Sequence, residues 1–312
     1  MQNLLQEYSV SAQYFAPRGK DRLIFLGEQI AQKHLMYSDR LIGIVGDAGS
    51  GKSSLIKGMF PGLELSNDDD VINPRKIMQA RDFITDGIGD AYTYHLDIRF
   101  QMAFTQMSEI VDYVREILNQ GRRAVIEHFN LIYPYLGENA DIIIGIGEEI
   151  IVTRPSVFGP SPSCIYDIVH TSLKYRKMSH TAEELTALAL ISECGITLNQ
   201  FYSSDIRYGF VLRFYENVDI DFEKVSNKVK ELIKADLDVS YVDEKHIRIG
   251  DITVKCTGPR LHMTSTGQIE DFELINRLVP DPKSNSYCLV GLIGNNNTDI
   301  ENRNTTYFLK RD

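Results

Sequence analysis

Leu41-Ile42-Gly43-Ile44-Val45-Gly46-Asp47-Ala48-Gly49-Ser50-Gly51-Lys52-Ser53-Ser54 joins a short apolar run to a glycine-rich turn and then to the helix-forming residues Leu55-Ile56-Lys57. An apolar run without alternating polar positions suits a strand buried on both faces of a parallel sheet. The segment from Gly46 to Ser53 fits the spacing GxxxxGK[ST], in which the turn aims backbone N–H groups at a phosphate. Gly46, Gly49 and Gly51 permit the backbone path, and the positive end of the next helix faces the same anion. The expected ligand is a nucleoside triphosphate, ATP or GTP, with magnesium. Asp47, Ala48, Ser50 and Ser54 complete the binding segment. Lys52 is placed on the β- and γ-phosphates and Ser53 on the metal.

Outward from this stretch, residues 21–36 carry the apolar spacing of a helix, weakened by Gly27. Leu63-Glu64-Leu65-Ser66 reads as a second strand, ending in Asn67-Asp68-Asp69-Asp70. Residues 105–119 read as an amphipathic helix, with Ala124-Val125-Ile126-Glu127 and Ile142–Ile146 as two more buried strands. Strands alternating with helices predict an α/β domain over 1–155, a parallel sheet with flanking helices. Arg154–Pro162 breaks regular structure and reads as a linker.

Beyond the linker, helices are expected at 165–193 and 221–234. A strand is expected at 208–215, and short strands at 239–242, 246–249 and 252–256 are joined by tight turns. This predicts an α+β domain with an antiparallel sheet over 165–312.

Composition excludes several classes. The chain has 312 residues, 43% hydrophobic and 24% charged, enough for two packed domains. No apolar run approaches the length of a membrane span, and the N-terminus lacks the features of a signal peptide, so cytoplasm is the expected address. The four cysteines have no paired spacing and are expected to be reduced. A net charge of −10 opposes nonspecific attraction to nucleic acid.

Phosphoryl transfer needs acids that hold magnesium or orient the acceptor. Asp68 is the candidate for the acceptor and Glu127 for the metal. In this respect residues 40–150 resemble the uridine-kinase branch of P-loop kinases, which carries a Ser-x-Asp-Asp-like segment after strand two and a Glu after a later apolar strand. Asp97, in Tyr94-His95-Leu96-Asp97, falls where that branch has further substrate-binding acids.

A second constellation stands in the C-terminal half. His180 and Glu184 are four apart and share a helix face. Cys256 and His262 flank a Gly-Pro turn, and the four together are chemically suited to zinc. His180-Thr181-Ala182, a helix over 221–234, the Cys…His pair and Thr266-Gly267-Gln268-Ile269 resemble the second additional domain of alanyl- and threonyl-tRNA synthetases. Free-standing alanyl-tRNA editing proteins share that domain, and the resemblance covers 165–278. It implies a zinc site that removes wrongly attached amino acids from tRNA. Three departures stand out: Glu184 replaces a His, Cys256 lies six residues before His262 rather than four, and Gly258 occupies the usual Cys position. Either a bulge or turn absorbs the shift, or the metal has been lost.

Three functions remain open at this level. One is an ATP-dependent phosphotransferase whose second domain recognises or processes a small nucleotide- or aminoacyl-like substrate. Another is a zinc-dependent hydrolase of aminoacyl esters regulated by nucleotide; both halves carry net negative charge, which disfavours tRNA itself as partner. The third is a nucleotide-controlled binding module.

Overall fold

The computed structural model describes residues 11–65, 92–294, 300, 301, 303 and 304. The chain divides into two compact units after Thr171, with Pro17–Gly19 belonging to the second.

In the first unit, β1 (Ser11–Phe15), β2 (Leu41–Val45), β3 (Thr93–Asp97), β4 (Arg123–Glu127), β5 (Ile142–Ile146) and β6 (Glu149–Thr153) form one sheet in the order β1-β6-β5-β2-β4-β3. The sheet is mixed rather than all parallel. β5, β2, β4 and β3 run parallel, while β6 pairs antiparallel to β5 and β1 antiparallel to β6. Both faces are covered, because alternate residues of one strand enter different cores. Leu41 and Val45 pack with Ile110, Val114 and Ile117 of the helix Met107–Asn119. Ile42 and Ile44 pack with Leu23 and Ile30 of Lys20–His34 and with Leu55 and Ile56 of Lys52–Met59. Unbroken apolar strands follow from this two-sided burial.

Gly27, which weakens the helical pattern of 21–36, lies where these two helices touch. A Cβ there would run into the backbone around Leu55 and Gly58. The expected strand at 63–66 is not formed over Leu63–Leu65, which have no regular structure, and the neighbour of β4 is Thr93–Asp97 instead. Asp68, Asp69 and Asp70 lie outside the described residues.

The irregular stretch 154–161 lies inside the first unit, not between the two. The helix after it, Pro162–Cys194, begins in the first unit because Ile165 and Val169 pack on Gly145 of β5.

In the second unit, β7 (Phe201–Ile206), β8 (Gly209–Phe214), β12 (Glu273–Leu274) and β14 (Ser286–Leu292) form an antiparallel sheet in the order β12-β14-β8-β7, with β13 (Val279–Asp281) also paired to β14. β9 (Val239–Asp243), β10 (His246–Ile249) and β11 (Ile252–Lys255) form a second antiparallel sheet. Phe210, Leu212 and Phe214 face a core shared with Met178, Ala182, Leu185 and Leu190 of the long helix. The helix Phe222–Lys234 is capped by the Asp221 carboxylate, which accepts from the Lys224 N–H at 3.1 Å, and it buries Val225 and Val229 one turn apart. Among the described residues, no helix is long and apolar enough to cross a membrane.

Candidate functional site

The glycine-rich segment sits at the C-terminal end of β2, between β5 and β4. The chain leaves β2 for β3, returns to β4 beside β2, and then crosses to β5 on the other side. A crevice at the strand ends where the order reverses is where open α/β sheets bind ligands. Gly49 and Gly51 adopt φ of 74° and 101°, and Gly51 caps the helix that Lys52 opens. The Lys52 ammonium turns back over the loop, donating to the Asp47 carbonyl at 2.8 Å. The Ser50 N–H donates to the same carbonyl at 3.2 Å, closing the turn. Ala48 is exposed and Ser54 half-buried.

Glu127 ends β4, and its carboxylate faces this loop. Ser53 Oγ donates to Glu127 Oε1 at 3.2 Å, and Lys52 Nζ lies 3.7 Å from Oε2. Burial alone would push the Glu127 carboxyl up. His95, whose Nε2 lies 3.2 Å from Oε1, outweighs it together with Lys52 and holds the group down at about 2. The structure thus brings together Lys52, Ser53 and Glu127, three of the residues expected at the nucleotide site.

Three more residues lie beside them: Asp97, which the kinase resemblance points to, and His95 and His128, which it does not. Asp97 pairs in register with Glu127, and its Oδ1 accepts from the Phe100 N–H at 3.0 Å. His95 lies two residues earlier on the same strand. His128 follows Glu127 with φ of 57°, in the left-handed region that few side chains adopt. Burial, then the nearby Lys52, lowers its imidazole to about 4, so the ring is neutral at neutral pH.

On the opposite side of the loop, Asp47 is gripped from the helix Pro162–Cys194. The Tyr166 hydroxyl donates to Oδ1 at 2.7 Å, and His170 Nδ1 lies 2.7 Å from Oδ2. The two rings stack with centroids 5.4 Å apart.

In the second unit His180, Glu184, Cys256 and His262 converge, with one donor atom of each within 4.8 Å of all the others. Cys256 Sγ is 3.1 Å from His262 Nε2 and 3.4 Å from His180 Nε2, and His180 Nε2 is 3.8 Å from Glu184 Oε1. The six-residue spacing from Cys256 to His262 is taken up by the turn at Gly258–Leu261, where the Leu261 N–H donates to the Gly258 carbonyl. Gly258 cannot be the sulfur position here, because a Cβ on it would overlap the Arg18 carbonyl and crowd the His180 ring. Its N–H instead donates to Cys256 Sγ at 3.3 Å.

Burial sets the electrostatics of this cluster. It pushes the Glu184 carboxyl up to about 8, with Glu183 adding to the effect, and it raises the Cys256 thiol. It lowers His262 to about 3 and His180 well below the usual imidazole range. A buried set that disfavours its charged forms in this way is matched by a cation, which favours the thiolate, the carboxylate and the neutral imidazoles together. One sulfur, two nitrogens and one oxygen fit four-coordinate zinc. Beside His262 opens a cavity of about 420 Å³, lined also by Tyr241, Arg260, Met263 and Thr264. The Arg260 guanidinium lies over the Tyr241 ring, 4.9 Å from its centre.

No protein-family model matches the chain, and none of the curated proteins compared with it matches.

Proposed function

We propose that the first unit binds a nucleoside triphosphate with magnesium and transfers its phosphoryl group, and that the second unit recognises or processes the substrate. The convergence of Lys52 and Ser53, from the loop after β2, on Glu127 at the end of β4 carries this reading. The motif calls for inward N–H groups on the phosphate, and the segment adds a cation for its outer oxygens and a hydroxyl beside a carboxylate for the metal. The parallel order β5-β2-β4-β3 around the loop supports a P-loop fold. The resemblance to the uridine-kinase branch supports a hydroxyl acceptor. Calorimetric titration with magnesium and ATP or GTP tests it, followed by assay of ADP or GDP formation over a panel of nucleosides and aminoacyl derivatives. Binding that is lost in Lys52→Ala, with turnover on one acceptor class, is the expected result. No binding of either nucleotide overturns the reading.

A second reading is favoured by the four-donor cluster. Zinc held by His180, Glu184, Cys256 and His262 would act as a Lewis acid toward water or an ester carbonyl, and the cavity beside His262 is open to a small acyl group. Release of amino acid from a mischarged tRNA or a small aminoacyl ester, lost in His262→Ala, would favour this hydrolase. An inert protein with zinc bound would remove it.

A further inference from the structure

The imidazole of His170 is held at one nitrogen by a carboxylate that belongs to the glycine-rich loop. Nδ1 lies 2.7 Å from Asp47 Oδ2, and the Tyr166 hydroxyl donates to Oδ1 of the same carboxylate at 2.7 Å. A carboxylate only accepts, so the proton of the neutral ring stands on Nδ1 and the lone pair on Nε2. The Tyr166 ring stacks on the imidazole, 20° from parallel, which fixes its plane. The His170 side chain is nevertheless 59% exposed, open to a reactant, whereas His95 and His128 are buried. Asp47 also carries the carbonyl to which the Lys52 ammonium donates at 2.8 Å. One loop residue therefore links this imidazole to the cation expected on the outer phosphates. An ordinary surface pair looks different: His246 meets Asp243 only three residues away, across the hairpin of β9 and β10, while His170 and Asp47 are 123 residues apart.

We propose that His170 is a phosphoryl-accepting residue: with a nucleoside triphosphate on the loop, Nε2 attacks the γ-phosphorus and the protein carries the group as a phosphohistidine. This rests on the nucleotide reading of the first unit. The Nε2 lone pair forms the N–P bond while the bond from the γ-phosphorus to the β,γ-bridging oxygen breaks. That oxygen leaves with the electron pair, on the nucleoside diphosphate. No proton is released, because the ring keeps its Nδ1–H and takes a positive charge, and the transferred group carries two negative ones. The Asp47 carboxylate faces the nitrogen where the positive charge appears, and Tyr166 holds that carboxylate in place. Both therefore stabilise the charged ring more than the starting one. A nucleophile, an acid on its far side and a third group that orients the acid make up the pattern of covalent catalysis. Asp47 and Tyr166 act through His170 and are positioning residues.

The test incubates full-length protein with magnesium and ATP or GTP radiolabelled at the γ-phosphate. The expected result is protein-bound label that survives alkali and is lost in acid, as an N–P bond requires, placed on His170 by tandem mass spectrometry. His170→Gln should carry no such label, while His246→Gln should label as the wild type does. The His170 side chain is exposed, so its replacement should leave the fold intact, which circular dichroism checks. Asp47→Asn should slow labelling at saturating nucleotide by roughly a hundredfold. Tyr166→Phe should slow it by no more than roughly tenfold. A merely structural role for these two would change nucleotide affinity and leave that rate constant unmoved. Nucleotide binding, measured by calorimetry on the same preparation, separates this site from the reading beneath it. Nucleotide that binds without labelling His170, or label confined to other residues, would overturn this site alone. A protein that binds neither nucleotide would overturn the site and the nucleotide reading together.

Discussion

The Tyr166 hydroxyl donates to the Asp47 carboxylate across 2.7 Å, tying a helix side chain to the residue just inside the glycine-rich loop. Because His170 holds the other carboxylate oxygen, the loop is fixed at a point its own backbone does not control. Tyr166→Phe removes one contact and leaves the ring stack. The net worth of such a bond is about 0.5–1.5 kcal/mol. Folding stability should therefore fall by about that amount, read by urea unfolding, and nucleotide affinity by no more than roughly tenfold, read by calorimetry.

Lys52→Ala removes the ammonium that lies between the Asp47 carbonyl and Glu127. Hydrogen bonds to charged groups contribute about 1.5–3 kcal/mol, so nucleotide should bind roughly ten- to hundredfold more weakly. Ser53→Ala should instead reduce the dependence of binding on magnesium. Titrations at several magnesium concentrations separate the two effects.

Purified protein should contain close to one zinc per chain, lost in His262→Ala, by elemental analysis. Stripping the metal should lower the melting temperature of the second unit. Saturation at a thousand times the dissociation constant corresponds to about 4 kcal/mol of stabilisation. A chelator that leaves the melting curve unmoved would contradict this.

Gly258→Cys would place a thiol where the resemblance expects one, yet it should impair the site. The new Cβ meets the Arg18 carbonyl, a backbone atom that has no rotamer to escape into. Overpacking of this kind costs about 1–3 kcal/mol, so both melting temperature and zinc affinity should fall.

Arg18→Ala should be among the most damaging changes in the second unit. Its guanidinium lies 2.9 Å from Glu183 and 3.2 Å from Asp205, and all three side chains are buried. Removing one partner from a buried ion-pair group costs about 3–5 kcal/mol, because the remaining charges stay out of water. Urea unfolding would read this directly.

Much of this arrangement was legible in the residues themselves. β2, β4 and β5 announce themselves because they are apolar on both faces, and the helix 222–234 because its apolar stripe is regular. β3 is harder to see, since its buried positions include His95 and Asp97, and polar residues interrupt the hydrophobic pattern. β1 and β6 escape for another reason. Their pairing, Ser11 with Thr153, joins distant parts of the chain and leaves no local periodic signal. The residues of the glycine-rich loop follow from motif spacing, but His128 does not, because a histidine after a strand-ending glutamate has no distinctive pattern. For the second cluster, the four donors could be picked out individually. The turn that reconciles a six-residue spacing depends on the Arg18 backbone, and nothing near positions 256–262 reports it.

Arg18 also ties an early residue of the chain to partners made much later. It bonds to the carbonyls of Ser204 and Gly209, 186 and 191 residues away. On the ribosome it emerges long before Glu183 and Asp205, so the charges it will neutralise do not yet exist. These contacts of Arg18 can form only once residue 209 has been made. A polypeptide severed between the units would carry one part of this ion-pair group on each piece, and a fragment starting at Ser172 would keep Glu183 and Asp205 but lose Arg18.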